Sequence, residues 1–165
     1  MKSIRKCLSV TLTAIAASCF IASAQVPRLN TGVGPAIAGS YNPNELPERA
    51  LDFLRDYYGS HYAQSCEKDY MTENYELTMT DGTEIEFDYQ GKVMEIDAPD
   101  YSAISKEAVK NILPGKVYKK LTELGVEDKV EKIDREKRGF DIEFTDGSSL
   151  HELFITSEGK LLAQK

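Results

Sequence analysis

YELTMTDGTEIEFDYQGKVMEID, residues 75–97, alternates apolar and polar positions and is interrupted twice by turn residues. A period of two places successive side chains on opposite faces of a sheet. Tyr75, Leu77 and Met79 therefore point one way, and Ile85, Phe87 and Tyr89 join them across a hairpin at Asp81-Gly82. Asp-Gly suits a type I′ turn, in which both central residues take positive φ. Gln90-Gly91-Lys92 forms the second turn, and a further strand over about Ser65–Met71 precedes the segment.

Upstream, Leu46, Ala50, Leu54 and Tyr57, with Phe53 beside them, make one apolar stripe at helical spacing. Asn44 is placed to cap this helix, Pro47 fits its first turn, and Gly59 ends it. The same order recurs downstream. Leu113-Pro114 repeats Leu46-Pro47, and Leu113, Val117, Leu121 and Leu124 reproduce the stripe's spacing. Thr145-Asp146-Gly147 follows Phe140 as Thr80-Asp81-Gly82 follows Tyr75, and Glu158-Gly159-Lys160 answers Gln90-Gly91-Lys92. Val130 and Ile133 mark one strand of the second unit, Phe140, Ile142 and Phe144 the next, and Leu161 the last. Between the units Ser105 caps a short helix, Lys106–Ile112. The expectation is an α+β fold: a tandem repeat of a helix plus an antiparallel four-stranded sheet. The units are assigned to residues 45–97 and 113–165, joined by a connecting segment, 98–112. The repeat is imperfect after Gly147, where Glu152 takes the place of Phe87 and His151, Leu153 and Ile155 form an apolar set of opposite parity. That predicts a bulge or a register change.

Lys2, Arg5 and Lys6 precede an uncharged apolar run, and Ala22-Ser23-Ala24 supplies the small residues of a cleavage site, so residues 1–24 read as an export signal. Ala16-Ala17-Ser18-Cys19 offers an alternative, a lipid anchor at Cys19. Residues 25–44, rich in Gly, Pro, Ser and Asn, read as an extended linker. No later stretch has the ~20 apolar residues of a membrane span. All 27 acidic residues but only 17 of the 20 basic ones follow Ala24, leaving a net charge of −10 there. Such a surface disfavours nucleic acid and anionic lipid and suits a basic protein. Cys66 is the one cysteine beyond the signal, so an internal disulfide is not expected.

With Ile85 and Phe87 facing a helix, Glu84, Glu86 and Asp88 face away, beside Glu76, Thr78 and Thr80. A sheet covered on one side commonly leaves the other wet, so the acids form a solvated face or a docking surface. Acid–base catalysis would need a cleft that separates two carboxyl pKa values, and an open sheet offers none. Asp81-Gly82-Thr83-Glu84 lacks the further ligands of a calcium loop, and His61 and His151 lie apart from any zinc-ligand cluster. No metal or other cofactor is expected. An enzyme using Cys66 with His61 is the alternative of another class, and a small-ligand or cation sensor on the acidic face is a third.

The order Leu-Pro, helix, Tyr75-to-Asp97, with its second copy from Leu113 to Gly147, resembles the PepSY-like, β-lactamase-inhibitor-like family of exported bacterial proteins. The likeness covers about residues 45–163 and rests on spaced Leu-Pro, Asp-Gly and Gly-Lys pairs. It implies a β-lactamase-inhibitory-protein-like arrangement, with two sheets side by side presenting a concave surface. It carries no catalytic residue. It implies a periplasmic or secreted binding module, an inhibitor or regulator of a hydrolase or peptidase, whose partner is another exported protein. The candidate contact residues are Glu84, Glu86, Asp88 and Tyr89, with Asp81 and Asp146 at the hairpin tips and Tyr70 and Tyr62 as further aromatic anchors.

Overall fold

The computed structural model describes residues 42–59, 61 and 63–164. The export signal, the cleavage site after Ala24, Cys19, nearly all of the linker and Tyr62 lie outside them. A 3-10 turn, Pro43–Glu45, leads into helix α1 (Glu48–Tyr58), followed by strands β1 (Ala63–Lys68), β2 (Tyr75–Met79), β3 (Glu84–Phe87) and β4 (Val93–Asp97). Helices α2 (Lys106–Ile112) and α3 (Gly115–Leu124) precede β5 (Val130–Glu136), β6 (Gly139–Asp146), β7 (Ser149–Thr156) and β8 (Leu161–Gln164). Two sheets side by side are not found: the strands form a single eight-stranded sheet in chain order, antiparallel throughout.

The apolar stripes account for the layering. Ala50, Phe53 and Leu54 of α1, Ala108 and Val109 of α2, and Val117 and Leu121 of α3 are buried in one core with the inward residues of the strands. Phe53 meets Phe87 edge to face, their ring centroids 5.9 Å apart. Leu124, expected to complete the stripe of α3, is 42% exposed. It is the last residue before Gly125, which turns the chain into the left-handed region and ends the helix.

Local capping differs from the expectation at two places. Asn44 does not cap α1. It sits inside the 3-10 turn, its amide donating to the Asn42 carboxamide oxygen at 3.1 Å, and Pro47 occupies the cap position of α1. The Asp81-Gly82 hairpin is not a type I′ turn, because only Gly82 has positive φ, +92°. The Gly82 amide donates to the Met79 carbonyl at 3.0 Å, the Met79 amide to that of Thr83 at 2.8 Å, and the Thr83 amide to Asp81 Oδ1 at 3.0 Å. This is a three-residue loop closed by a glycine bulge, with the Asp81 side chain holding it.

The longer strand after Gly147 has a related cause. β6 and β7 pair without interruption from Asp146–Ser149 to Gly139–Thr156, so the parity switch arises at a shorter turn. The irregularity lies on the other edge of β7, against β8, between Phe154 and Ile155. A matching one lies between Glu86 and Phe87 against β4. After each, a glycine turn presses on the start of a helix. A Cβ on Gly91 (φ +77°) would stand 2.7 Å from the Ala50 nitrogen, and one on Gly159 (φ +83°) 2.7 Å from the Lys116 carbonyl oxygen.

Gly91→Ala should therefore cost more than backbone strain alone, about 2–4 kcal/mol of unfolding free energy. Gly147→Ala, at φ +68° with nothing within 4 Å of the added carbon, should lose only about 1–2 kcal/mol. Urea titrations of the two variants measure the difference.

Candidate functional site

The sheet face turned away from the helices carries a row of carboxylates running across strands. Register places Glu67 beside Glu76, Glu76 beside Glu86, Glu86 beside Glu95, Glu95 beside Asp134 and Asp134 beside Asp141. The adjoining row reads Ser65, Thr78, Glu84, Asp97, Lys132, Glu143 and Glu152. Like charges directly opposite on neighbouring strands oppose pairing, so the row is held by what lies beneath it. Inward partners in the same strands, among them Leu77, Ile85, Ile96, Ile133 and Ile142, are essentially excluded from solvent.

Lys132 is the single cation in those two rows. Its Nζ lies 2.5 Å from Glu95 Oε1 and 3.2 Å from Asp97 Oδ2. The hydrogen bond to Glu95 is the main reason that Lys132 is raised above the ordinary lysine value. Asp134 is raised above 3.8 by its own burial and then by the Glu95 charge, and Glu143 above 4.5 by burial, with Lys132 pulling both back. Over β1–β4 the face hollows into a depression of about 250 Å³ bordered by Glu67, Glu76, Glu84, Glu86, Glu95 and Asp97.

The residues singled out from sequence do not form one site. Glu84 is exposed on this face, and Glu86 is half-buried, accepting a hydrogen bond from Asn74 Nδ2 at 2.6 Å. Asp88 follows the end of β3, where its Oδ1 accepts from the Gln90 and Lys92 amides, both at 2.9 Å. It holds the β3–β4 turn, with Tyr89 exposed beside it. Asp81 and Asp146 lie at the opposite end of the strands, Asp81 Oδ2 3.4 Å from His61 Nε2 and Asp146 Oδ1 2.8 Å from Lys129 Nζ. Tyr70, in the β1–β2 loop, is exposed at the Tyr89 end, as the alternation of strand direction requires.

Cys66 lies opposite Leu77 with its thiol in the core, where burial pushes its pKa up to about 12. A thiol so placed is neither exposed nor ionised near neutral pH, so this group is not poised as a nucleophile. His61 approaches Asp81 and the Tyr58 ring. Among the described residues no three His, Cys, Asp or Glu side chains are grouped to hold a metal ion, and no helix is long and apolar enough to cross a membrane.

Sequence reasoning missed Glu67, Glu95, Asp97, Asp134, Asp141 and Glu143. Alternation within MEID (94–97) and GFDIEFTD (139–146) carries the signal for four of them. The β3–β4 hairpin sets Glu95 and Asp97 beside Glu86 and Glu84, and only the pairing of β4 with β5 brings Asp134, Asp141 and Glu143 into line with them.

Residues 73–163, more than half of the chain, match the model of a family described as "Putative beta-lactamase-inhibitor-like, PepSY-like". Three solved structures share the fold. A "putative periplasmic protein of unknown function" of Bacteroides vulgatus is 21% identical, with a TM-score of 0.58 over 76% of this chain and 96% of its own. A "putative calcium-regulated periplasmic protein" of Bacteroides thetaiotaomicron is 22% identical, with a TM-score of 0.59 over 77% of this chain and 95% of its own. A second Bacteroides vulgatus protein, a "putative periplasmic protein from DUF2874 family", is 21% identical, with a TM-score of 0.62 over 76% and 94%. No curated protein matches the sequence.

Two outcomes follow. A group whose pKa is raised on folding adds stability below its unfolded value and loses it as pH rises through the folded one. Asp134→Asn and Glu143→Gln should therefore stabilise the protein by a few tenths of a kcal/mol at pH 7. The gain should disappear as pH falls to the ordinary carboxylate values, which parallel urea titrations at the two pH values would register. Cys66 should resist iodoacetamide at pH 8 in the native protein and react fully in urea, as mass spectrometry would detect.

Proposed function

The chain belongs to the PepSY-like, β-lactamase-inhibitor-like family, and from that premise we propose that it is an exported, non-enzymatic module that binds another exported protein. The carboxylate row from Glu67 to Asp141, bordering a concave surface and offset by Lys132, is the observation that carries this reading. A fold that keeps repelling groups in register on an open face gains from a cation-rich surface brought against them. The partner is a protein presenting Lys and Arg, and the contact residues are Glu84 and Glu86 with the neighbouring carboxylates. Tyr89 and Tyr70 flank one end of the face as aromatic anchors, and Asp81 and Asp146 mark the hairpin tips at the other. Asp88 contributes by shaping the turn that presents Tyr89. Inhibition or regulation of a hydrolase or peptidase is the mode of action this family membership favours.

Export rests on the basic start, the apolar run and the Ala22-Ser23-Ala24 site. The periplasmic descriptions of the similar solved proteins support the same compartment. The chain divides into a signal (1–24), a linker (25–44), two repeats (45–97 and 113–165) and a connecting segment (98–112). The equivalent seating of Gly91 against α1 and Gly159 against α3 supports an origin by duplication.

The test is capture from the periplasmic fraction of the source bacterium, with bound proteins identified by mass spectrometry. A basic partner should be recovered at low salt. Glu84→Lys with Glu86→Lys should cut its recovery roughly tenfold or more, since charge reversal at a complementary interface costs several kcal/mol. Raising sodium chloride should do the same. Equal recovery by the charge-reversed protein would remove the acidic face from the proposal.

A further inference from the structure

On the helix side of the sheet, across the molecule from the carboxylate rows, three cations share one groove. Arg49 comes from the first turn of α1, Lys92 from the β3–β4 turn and Arg135 from β5. They line a groove of about 230 Å³ whose walls include Phe53, Tyr57 and Ile112. In a chain with seven more acidic than basic residues, such a gathering calls for an explanation.

Arg135 is fixed in place. Its Nε donates to the Val93 carbonyl at 3.2 Å, its Nη2 to the Ile112 carbonyl at 2.9 Å, and its guanidinium lies 4.6 Å from the centre of the Phe140 ring. These contacts leave Nη1 with no protein acceptor among the described residues. Arg49 and Lys92 form no ion pair with a described carboxylate. The carboxylates that border the groove, Asp52 and Asp56, each direct one oxygen to Arg55, at 2.6 and 3.1 Å. Asp88, whose charge acts on Lys92 and Arg135, has one oxygen engaged by two backbone amides. Burial and then the Arg135 charge lower the Lys92 pKa, and burial and then the Arg49 charge lower that of Arg135, with the Asp88 charge pulling both back. The three cations thus repel one another at a half-enclosed site, and the Asp88 charge offsets only part of that repulsion.

We infer that this groove binds a small oxyanion, a phosphate or carboxylate group, held by Arg49, Lys92 and the guanidinium of Arg135. An anion seated there relieves the repulsion and meets donors from three separate elements, one of them a pre-set planar fork. The site is independent of the acidic face and of its partner.

Calorimetric titration of the purified protein with inorganic phosphate and, separately, with acetate tests it, at ionic strength held constant with sodium chloride. At least one anion should saturate a single site. Phosphate alone identifies a phosphoryl ligand, acetate alone a carboxylate, and both a general oxyanion site. Arg49→Gln with Lys92→Gln should weaken binding about tenfold or more. Lys119→Gln, on the exposed side of α3, should leave it unchanged, as should Glu84→Lys with Glu86→Lys. Arg49→Gln alone, at an exposed position, supplies the same comparison if the double variant unfolds. Failure of both anions to bind, or equal weakening by Lys119→Gln, would overturn the assignment.

Discussion

The seam between β4 and β5 is the contact on which the remaining architecture depends. It has three rungs, Glu95–Asp134, Ile96–Ile133 and Asp97–Lys132. Ile96 and Ile133 are wholly buried beneath it, and Lys132 bridges Glu95 and Asp97 above it. Arg135 adds a clamp, joining β5 to the Val93 carbonyl of β4 and to the end of α2. Without these contacts the chain would hold two four-stranded sheets, each with an exposed edge. With them, one register passes from β1 to β8.

That register has an electrostatic consequence. It aligns carboxylates from both halves of the chain into continuous rows, and one lysine offsets part of the repulsion. The burial of large apolar side chains on the inner face outweighs the rest. Each fully buried Leu, Ile or Phe contributes about 1.5–3 kcal/mol, whereas a like-charged cross-strand pair costs a fraction of that. The outer face is therefore free to specialise while the inner one carries stability. The helix side shows the converse, a cluster of cations in a half-enclosed groove of an acidic protein.

Much of the fold was legible because periodicity reports burial directly. The stripe of α1 and the alternation of YELTM and EIEF mark buried side chains that the structure places in the core. Misreadings arose where local chemistry competes. Asn44 is drawn into a 3-10 turn capped by Asn42, leaving Pro47 at the start of α1, and the Asp81 carboxylate closes its own turn, so Asp81 keeps negative φ where a type I′ turn would have required positive. Asp88 reads by parity as a member of the acidic face, yet the strand ends before it and the turn's amides claim its oxygen. Parity holds only while the chain stays extended.

The sequence by itself determined the helices and strands, their order and the apolar sides of β2, β3, β6 and β7, because these follow from neighbours a few residues apart. It also determined the excess of acid and that Cys66 is the lone cysteine of residues 25–165. Tertiary structure alone decided that β4 pairs with β5, that Glu95, Asp134 and Asp141 stand in line with Glu86, and that Arg49, Lys92 and Arg135 meet. Glu95 and Asp134, and each successive pair of the three cations, lie about forty residues apart along the chain. Their proximity is set by strand pairing and helix packing, which leave no local periodicity to read.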